Sequence, residues 1–457
     1  MANQNLLTYG AKIASVEQTY YSPVTVVPPN YNIFLGTTYC FISKVNPWTD
    51  EENPPVPTQD QQAIKTIFKN MFVAKKINVV DISPVIQRID WTEGETYFAY
   101  SDTVDLFEQD VDGNLVNRFY VKNKYDQVFK CLWNNNGGVS LNEPYFEPGF
   151  YGTNNIYTGQ DGYKWKYMYT IDTGSRLKFM DNKWMPIPVG ANTPNPTITS
   201  AGAGDIEVIN VVQGGSGYDA VNTNIIVTIT GDGTGAVGYA TVNTQANGAI
   251  SDIYVTNAGT NYTYSSVSIS APLGSNAIVI GPTSPVGGHG YDPVSELGSS
   301  RVMLVSKFNG SEGGLIPTDI DYRQIGLLIN PSDSLSNPYP ANNSIYKLST
   351  DIVVVSGFGS YQPDEKVYQG NIDSPSFSAT VLSFDAANNV VKTINTIGTP
   401  STSTALYGQT SLTTRTVLSY SVPDFIIFSG YLSYVENRKS IQRSPDGIEQ
   451  FKFVLGY

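Results

Sequence analysis

Residues 160–169 read Gln160-Asp161-Gly162-Tyr163-Lys164-Trp165-Lys166-Tyr167-Met168-Tyr169. The Asp-Gly pair is a turn signal, because glycine takes positive φ without steric cost. After it, aromatic residues alternate with lysines. A β-strand sends successive side chains to opposite faces. The stretch therefore predicts a strand with one aromatic face and one solvated lysine face.

Working outward, Gln127-Val128-Phe129-Lys130-Cys131-Leu132-Trp133 predicts a second strand, ending at the turn Asn134-Asn135-Asn136-Gly137-Gly138. Further strands are expected at Asn32–Leu35, Tyr39–Ile42, Lys76–Val80 and Asn117–Val121. The best helix pattern lies between Thr58 and Lys76. Thr58 is placed to cap it, and Ile64, Ile67, Phe68, Met71 and Phe72 recur at three- and four-residue steps. The fold class expected is mainly β with minor α.

Composition agrees. The 457 residues include 31 Tyr, 41 Gly and 27 Pro, and 40% are hydrophobic. Aromatic and β-branched side chains suit pleated surfaces. Gly and Pro supply the turns between many short strands. A chain of this length is expected to hold about three domains. Its formal net charge of −13 opposes binding to nucleic acid or anionic lipid. No apolar run approaches the roughly 20 residues that span a bilayer. The opening residues show no basic stretch followed by an apolar segment, so no signal peptide is expected there. Cys40 and Cys131 lie far apart, outside any metal-ligand spacing, and are expected to be reduced and buried.

Residues 191–204 are rich in Ala, Asn, Thr, Pro, Ser and Gly and read as a linker. An internal repeat follows. Ile209–Tyr218 resembles Ile253–Tyr262, with the closing tyrosines, Tyr218 and Tyr262, 44 positions apart. Each copy continues to a strand, Ile226–Ile229 or Val267–Ile269. Each then reaches a small-residue turn, Gly231–Ala236 or Leu273–Ala277. Two copies are too few for a free-standing stack, so one compact inserted module is expected. Gly231–Gly235 resembles a phosphate loop only superficially, since a strand follows where a helix would be needed; a hairpin is expected. Asp232 is a weak calcium candidate, lacking the EF-hand spacing. Continuous apolar runs at Arg301–Val305 and Gln324–Ile329 suit strands buried on both faces. From about 350 to 420, short strands such as Ile352–Val355, Ala379–Phe384 and Val390–Ile394 suggest a small barrel. Asn388-Asn389 is its hairpin-turn candidate.

Catalytic signals are thin. The single histidine, His289, sits among glycines and reads as structural; two-histidine chemistry is excluded. Carboxylates such as Asp50, Glu51, Glu52, Glu93 and Glu95 are compatible with glycoside hydrolysis but carry no information without a cleft. No catalytic residue, metal ligand or cofactor site is assigned, and no cofactor or small-molecule substrate is expected.

Several segments, taken in order, carry a resemblance. They are Asn32-Ile33-Phe34, then Asn46-Pro47-Trp48 with the acidic, proline-rich loop ending Pro57-Thr58, and Arg88-Ile89-Asp90-Trp91. Phe129-Lys130-Cys131-Leu132 and Asp161–Tyr167 follow. Next come Tyr322-Arg323-Gln324-Ile325 with Ile329-Asn330-Pro331, Tyr434-Val435-Glu436-Asn437-Arg438 and the terminal Gln450–Leu455. In this order they resemble the baseplate wedge subunit, gene product eight, of T-even-type contractile-tailed bacteriophages. The match spans about 30–190, 290–345 and 425–457. It implies a core made of 1–190, 286–345 and 423–457. Two modules are inserted in that core, a duplicated one at 200–285 and a barrel-like one at 346–422.

The resemblance implies a non-enzymatic structural protein of the virion tail baseplate, assembled in the bacterial cytoplasm. Its partners would be a second copy of itself, as a homodimer, and other wedge proteins, and the baseplate would change shape on tail contraction. Trp48, Trp91, Trp165, Tyr167 and Arg438 lie in the matched segments and are of residue types common at interface hot spots, so they are the interface candidates. Two alternatives stand beside this reading: a receptor- or carbohydrate-binding tail protein, and a tail-associated polysaccharide hydrolase.

Overall fold

The computed structural model describes residues 11–12, 15–16, 37–147, 155–187, 204–219, 225–333 and 343–456. The expected strand at Asn32–Leu35, with the matched Asn32-Ile33-Phe34, and most of the expected linker lie outside these residues. The protein is mainly β. It folds into two compact units, one chiefly Ser83–Met303 and the other Tyr21–Ile82 with Leu304–Phe453.

The first unit holds an antiparallel four-stranded sheet. Its order is Tyr120–Lys122, Gln127–Asn134, Tyr163–Thr170, Ile156–Thr158. The two long central strands are the ones expected from their patterning. Tight Asx turns set their ends. Asn123 Oδ1 accepts from the N–H groups of Tyr125 and Gln127 at 2.9 Å each. Asp161 Oδ1 accepts from Tyr163 N at 3.2 Å, while its Oδ2 holds the N–H groups of Leu141 and Asn142 from a separate loop. One expectation fails: Lys164 and Lys166 are not solvated but buried, as are Trp165 and Tyr163 on the other face; Lys130 on the neighbouring strand is buried with them.

What covers Lys164 and Lys166 is the duplicated module, and what covers Lys130 is chiefly the segment after it. The module's six strands pair only between the copies. Asn210–Ser216 pairs with Ser275–Ile280, Ile226–Gly231 with Ser265–Ser270, and Thr234–Asn243 with Ala249–Thr260, all antiparallel. Among the described residues neither copy contains a ladder of its own, so the two must fold together. The expected hairpin at Gly231–Ala236 is thereby corrected: the strands flanking that turn belong to different pairs, because each finds its partner in the other copy. The repeated tyrosines explain the glycine turns. Tyr262 packs its ring on Gly233 and Tyr218 packs on Gly274, where a Cβ would collide with the ring. Asp232 accepts from Thr263 N at 2.8 Å, so it caps a turn of the other copy.

The second unit is built on a five-stranded antiparallel sheet. Its order is Ile345–Lys347, Met71–Lys76, Thr38–Ser43, Asp321–Ile329, Tyr431–Gln442. Gln324–Leu328 is buried throughout, as its apolar run requires. A helix, Gln61–Asn70, lies on this sheet and puts Ile67 into a core with Tyr39, Phe41, Met71, Leu328 and Phe425. The helix is shorter than expected and its cap differs. Asp60 is the N-cap, taking Gln62 N and Ala63 N on Oδ1, while Thr58 donates to Asp60. Met71–Lys76 is strand because it is inserted between two other strands; ladder bonds and two-sided burial outweigh helical spacing.

Thr350–Ser421 closes into a six-stranded antiparallel barrel. The strands run Thr350–Val354, Val390–Gly398, Ser374–Asp385, Lys366–Asn371, Ala405–Gly408, Thr414–Ser421 around it. Ile352, Val367, Phe377, Val381, Val391, Leu406 and Val417 fill its interior with no measurable exposure. Closure removes the free edges that so many short strands would otherwise expose.

Candidate interaction sites

Three lysines on the first unit's sheet meet acids from the module and the segment after it. Lys130 Nζ donates to Glu296 Oε2 at 2.9 Å and lies 3.0 Å from His289 Nδ1. Lys166 Nζ reaches Glu207 Oε2 at 2.6 Å, and Lys164 Nζ reaches Asp252 Oδ1 at 2.8 Å. The free oxygens are used as well. Glu207 Oε1 accepts from His289 N at 2.9 Å, and Glu296 Oε1 from Gly290 N at 2.7 Å. Tyr100 closes the cluster. Its ring lies 4.2 Å from Lys130 Nζ and edge-on to His289, and its hydroxyl donates to Thr283 O at 2.9 Å. Asn210 Nδ2 adds a bond to Leu132 O at 3.1 Å. The module is thus fastened to the sheet by the buried Lys166–Glu207 pair and the partly buried Lys164–Asp252 pair, and the segment after it by the buried Lys130–Glu296 pair.

Lysine is donor-only, so the approach of Lys130 makes Nδ1 of a neutral His289 the acceptor. Burial lowers the His289 pKa, and the Lys130 charge lowers it further. Burial acts to raise the Glu296 carboxyl, but Lys130, His289 and Gly290 N–H together hold it down to about 2. Burial pushes Asp205 up to about 6.

A pH dependence follows. Below about pH 6.5 the unfolded chain takes up a proton at His289 that the folded chain resists, so stability falls on acidification. Asp205 opposes this below pH 6, because its folded form binds the proton more readily. The Glu296 contribution is lost only as pH drops from 4.5 toward 2. Urea midpoints measured across about pH 7 to 5 should decline for the native chain and decline less for His289→Asn. An unchanged slope in that variant would remove His289 from the account.

The interface candidates separate into two groups. Trp165 has no exposure and packs on Tyr163 and Tyr97 at ring distances of 5.4 and 5.5 Å. Tyr167 stacks on Phe146 at 3.9 Å and is also buried. Both are core of the chain itself, which corrects their assignment to a partner surface. Their side of the strand is covered by neighbouring aromatics. Trp48, Trp91 and Arg438 are half-buried. Trp91 Nε1 donates to Ser140 Oγ at 3.0 Å.

Trp48 and Arg438 come together, although 390 residues separate them. Trp48 Nε1 donates to Arg438 O at 2.8 Å. Glu51 takes Arg323 Nε at 2.7 Å and Ser440 N at 3.2 Å, and Asn437 Nδ2 donates to Pro55 O at 2.8 Å. The acidic, proline-rich loop is therefore laid along the outer strand of the sheet.

Three more of the carboxylates singled out earlier, Asp50, Glu52 and Glu95, also have partners. Asp50 caps its own turn through Glu52 N and Asn53, Glu52 pairs with Lys439, and Glu95 pairs with Arg118 at 3.2 Å. Cys40 and Cys131 are both free and buried. Among the described residues, no group of three or more His, Cys, Asp or Glu is arranged to hold a metal ion, and no helix is long and apolar enough to cross a membrane. Sequence reasoning missed Glu207, Asp252 and Glu296. Only the apposed lysines hinted at them, and nothing in their spacing did. No family model matches the chain, and no curated protein matches it in sequence.

Proposed function

We propose that this chain is a non-enzymatic structural subunit of a contractile-tail baseplate wedge. In this reading it is a homodimer that docks to other wedge proteins in the virion, and it takes part in the baseplate's rearrangement on contraction. One observation carries the reading. Within each unit, described segments on which the resemblance rests are packed against one another. Gln324 and Ile325 are in register with Asn437 and Glu436. Trp48 and Glu51 bond Arg438 and Arg323. Phe129–Cys131 is laddered to Trp165–Tyr167. What matches is a mutually supporting frame, the property a scaffold needs, with its charged groups spent on fastening parts together.

A second reading, glycan binding by the module, is favoured by Tyr239 and Tyr254. These half-exposed rings stack on each other at 5.4 Å on its outer ribbon. The two readings and a hydrolase separate in solution. The purified full chain should have a dimer's mass, leave bacterial polysaccharide and peptidoglycan intact, and bind nothing on a glycan array. Released sugar or a specific array signal would replace the scaffold reading.

A further inference from the structure

The duplicated module joins the rest of the first unit at one point. Ser284 N donates to Asp205 O at 2.9 Å, and Asp205 N donates to Ser284 Oγ at 3.1 Å. This crossing is pinned from outside the module. Asp102 Oδ2 accepts from Thr283 N at 2.9 Å and from Thr283 Oγ1 at 2.8 Å, and Thr283 O takes the Tyr100 hydroxyl. Both chain connections therefore share one corner, the arrangement of a hinge. The strands from Asn210–Ser216 to Ser275–Ile280 lie between those connections and have no other covalent tie to the sheet.

The module's apolar core stops at its own boundary. Ile206, Ile209, Tyr218, Ile250, Ile253 and Tyr262 belong to that core, and among the described residues every partly buried hydrophobic side chain packed on it comes from the module. Its ladders are internal as well. Across the seam to the sheet run polar contacts. Lys166 reaches Glu207, Lys164 reaches Asp252 and Ile209 O, and Asn210 reaches Leu132 O. The two kinds of contact differ in what separation costs. Parting apolar faces exposes them to water in proportion to their area. Parting a buried ion pair returns both charges to water, and the solvation regained offsets much of the attraction lost.

We propose that the module is a lid, which swings as an intact body about the Asp205–Ser284 corner and uncovers Lys164 and Lys166. Opening of this kind is a sub-global event, less costly than unfolding the unit. The swing also breaks the bond from His289 N to Glu207 Oε1. Lys130 stays covered, because His289 and Glu296 belong to the segment beyond the hinge. The open state bares two neighbouring amines on a chain whose net charge is −13. The inference concerns the chain alone and is independent of the proposed function.

Acetylation of the full chain with a water-soluble amine-reactive ester, read by mass spectrometry beside hydrogen exchange, tests it. The reactivity of Lys166, whose side chain is 4% exposed, relative to the exposed Lys183 gives the opening constant of the seam. The protection of the ladder-bonded amides in Ile226–Gly231 gives that of the module itself. The seam is expected to open at least about tenfold more often than the ladder, with Lys130 slower to react than Lys166. Glu207→Gln with Asp252→Asn removes both charges but keeps the acceptors for His289 N and Ile253 N. It should raise Lys166 acetylation about tenfold further and leave the ladder's protection as in the parent. Equal opening constants in the parent overturn the proposal, because module and sheet then part only by unfolding. Lys130 reacting in step with Lys166 overturns it by moving the hinge. So does a variant whose ladder protection falls along with the rise.

Discussion

Replacing Glu296 with alanine is expected to destabilise the first unit by about 3–5 kcal/mol, because it strands a buried charge. Lys130, with no measurable exposure, would keep its charge without its 2.9 Å partner, or lose the proton at comparable cost. The N–H groups of Gly290 and Asp292 would lose their common acceptor in the same substitution. The pair itself is not expected to be worth so much. Lys130→Met combined with Glu296→Leu removes both charges while keeping volume, and replacement of a buried pair by apolar residues is often near neutral. Recovery should be incomplete, since each orphaned N–H costs roughly 1–3 kcal/mol. Denaturant unfolding of the two single variants and the double variant would measure the coupling. A Glu296→Ala loss below about 1 kcal/mol would show that the ion pair does not fasten the segment after the module to the sheet.

The second large effect is expected at Trp165. Trp165→Ala should cost about 3–5 kcal/mol through lost burial and the cavity left between Tyr97 and Tyr163. Trp48→Ala should cost about 1 kcal/mol, because a half-buried ring there gives up mainly one bond to Arg438 O. Melting curves of the isolated variants decide between core and interface. A Trp165→Ala chain as stable as the parent, yet unable to assemble, would return that residue to a partner surface.

These two sites mark where the sequence is legible. Period-two alternation places the strands at Gln127–Asn134 and Tyr163–Thr170, because a pleated strand allows no other distribution of those side chains. The Asp161-Gly162 and Asn388-Asn389 turns are equally local. Alternation also identifies the aromatic face, since rings of that size need a core. It says nothing about what lies over the lysines. Glu207, Asp252 and Glu296 reach them from 41 to 166 residues away, and no local pattern encodes that apposition. Met71–Lys76 fails for a related reason: Met71 and Phe72 continue the helical spacing, and only insertion between two strands makes the segment extended. The repeat is visible, but its pairing is not, because similar halves can each fold alone or exchange partners. Trp48 was legible as a candidate by residue type; its contact with Arg438 was not.

The scaffold account is tested most directly by a density map of the tail of particles that carry this protein. We predict that the chain's sheets and its closed barrel fit density in the plate surrounding the hub at the tail's end. No polysaccharide should occupy a cleft. Density for the chain elsewhere in the virion, or a tail that contains none of it, would contradict the account.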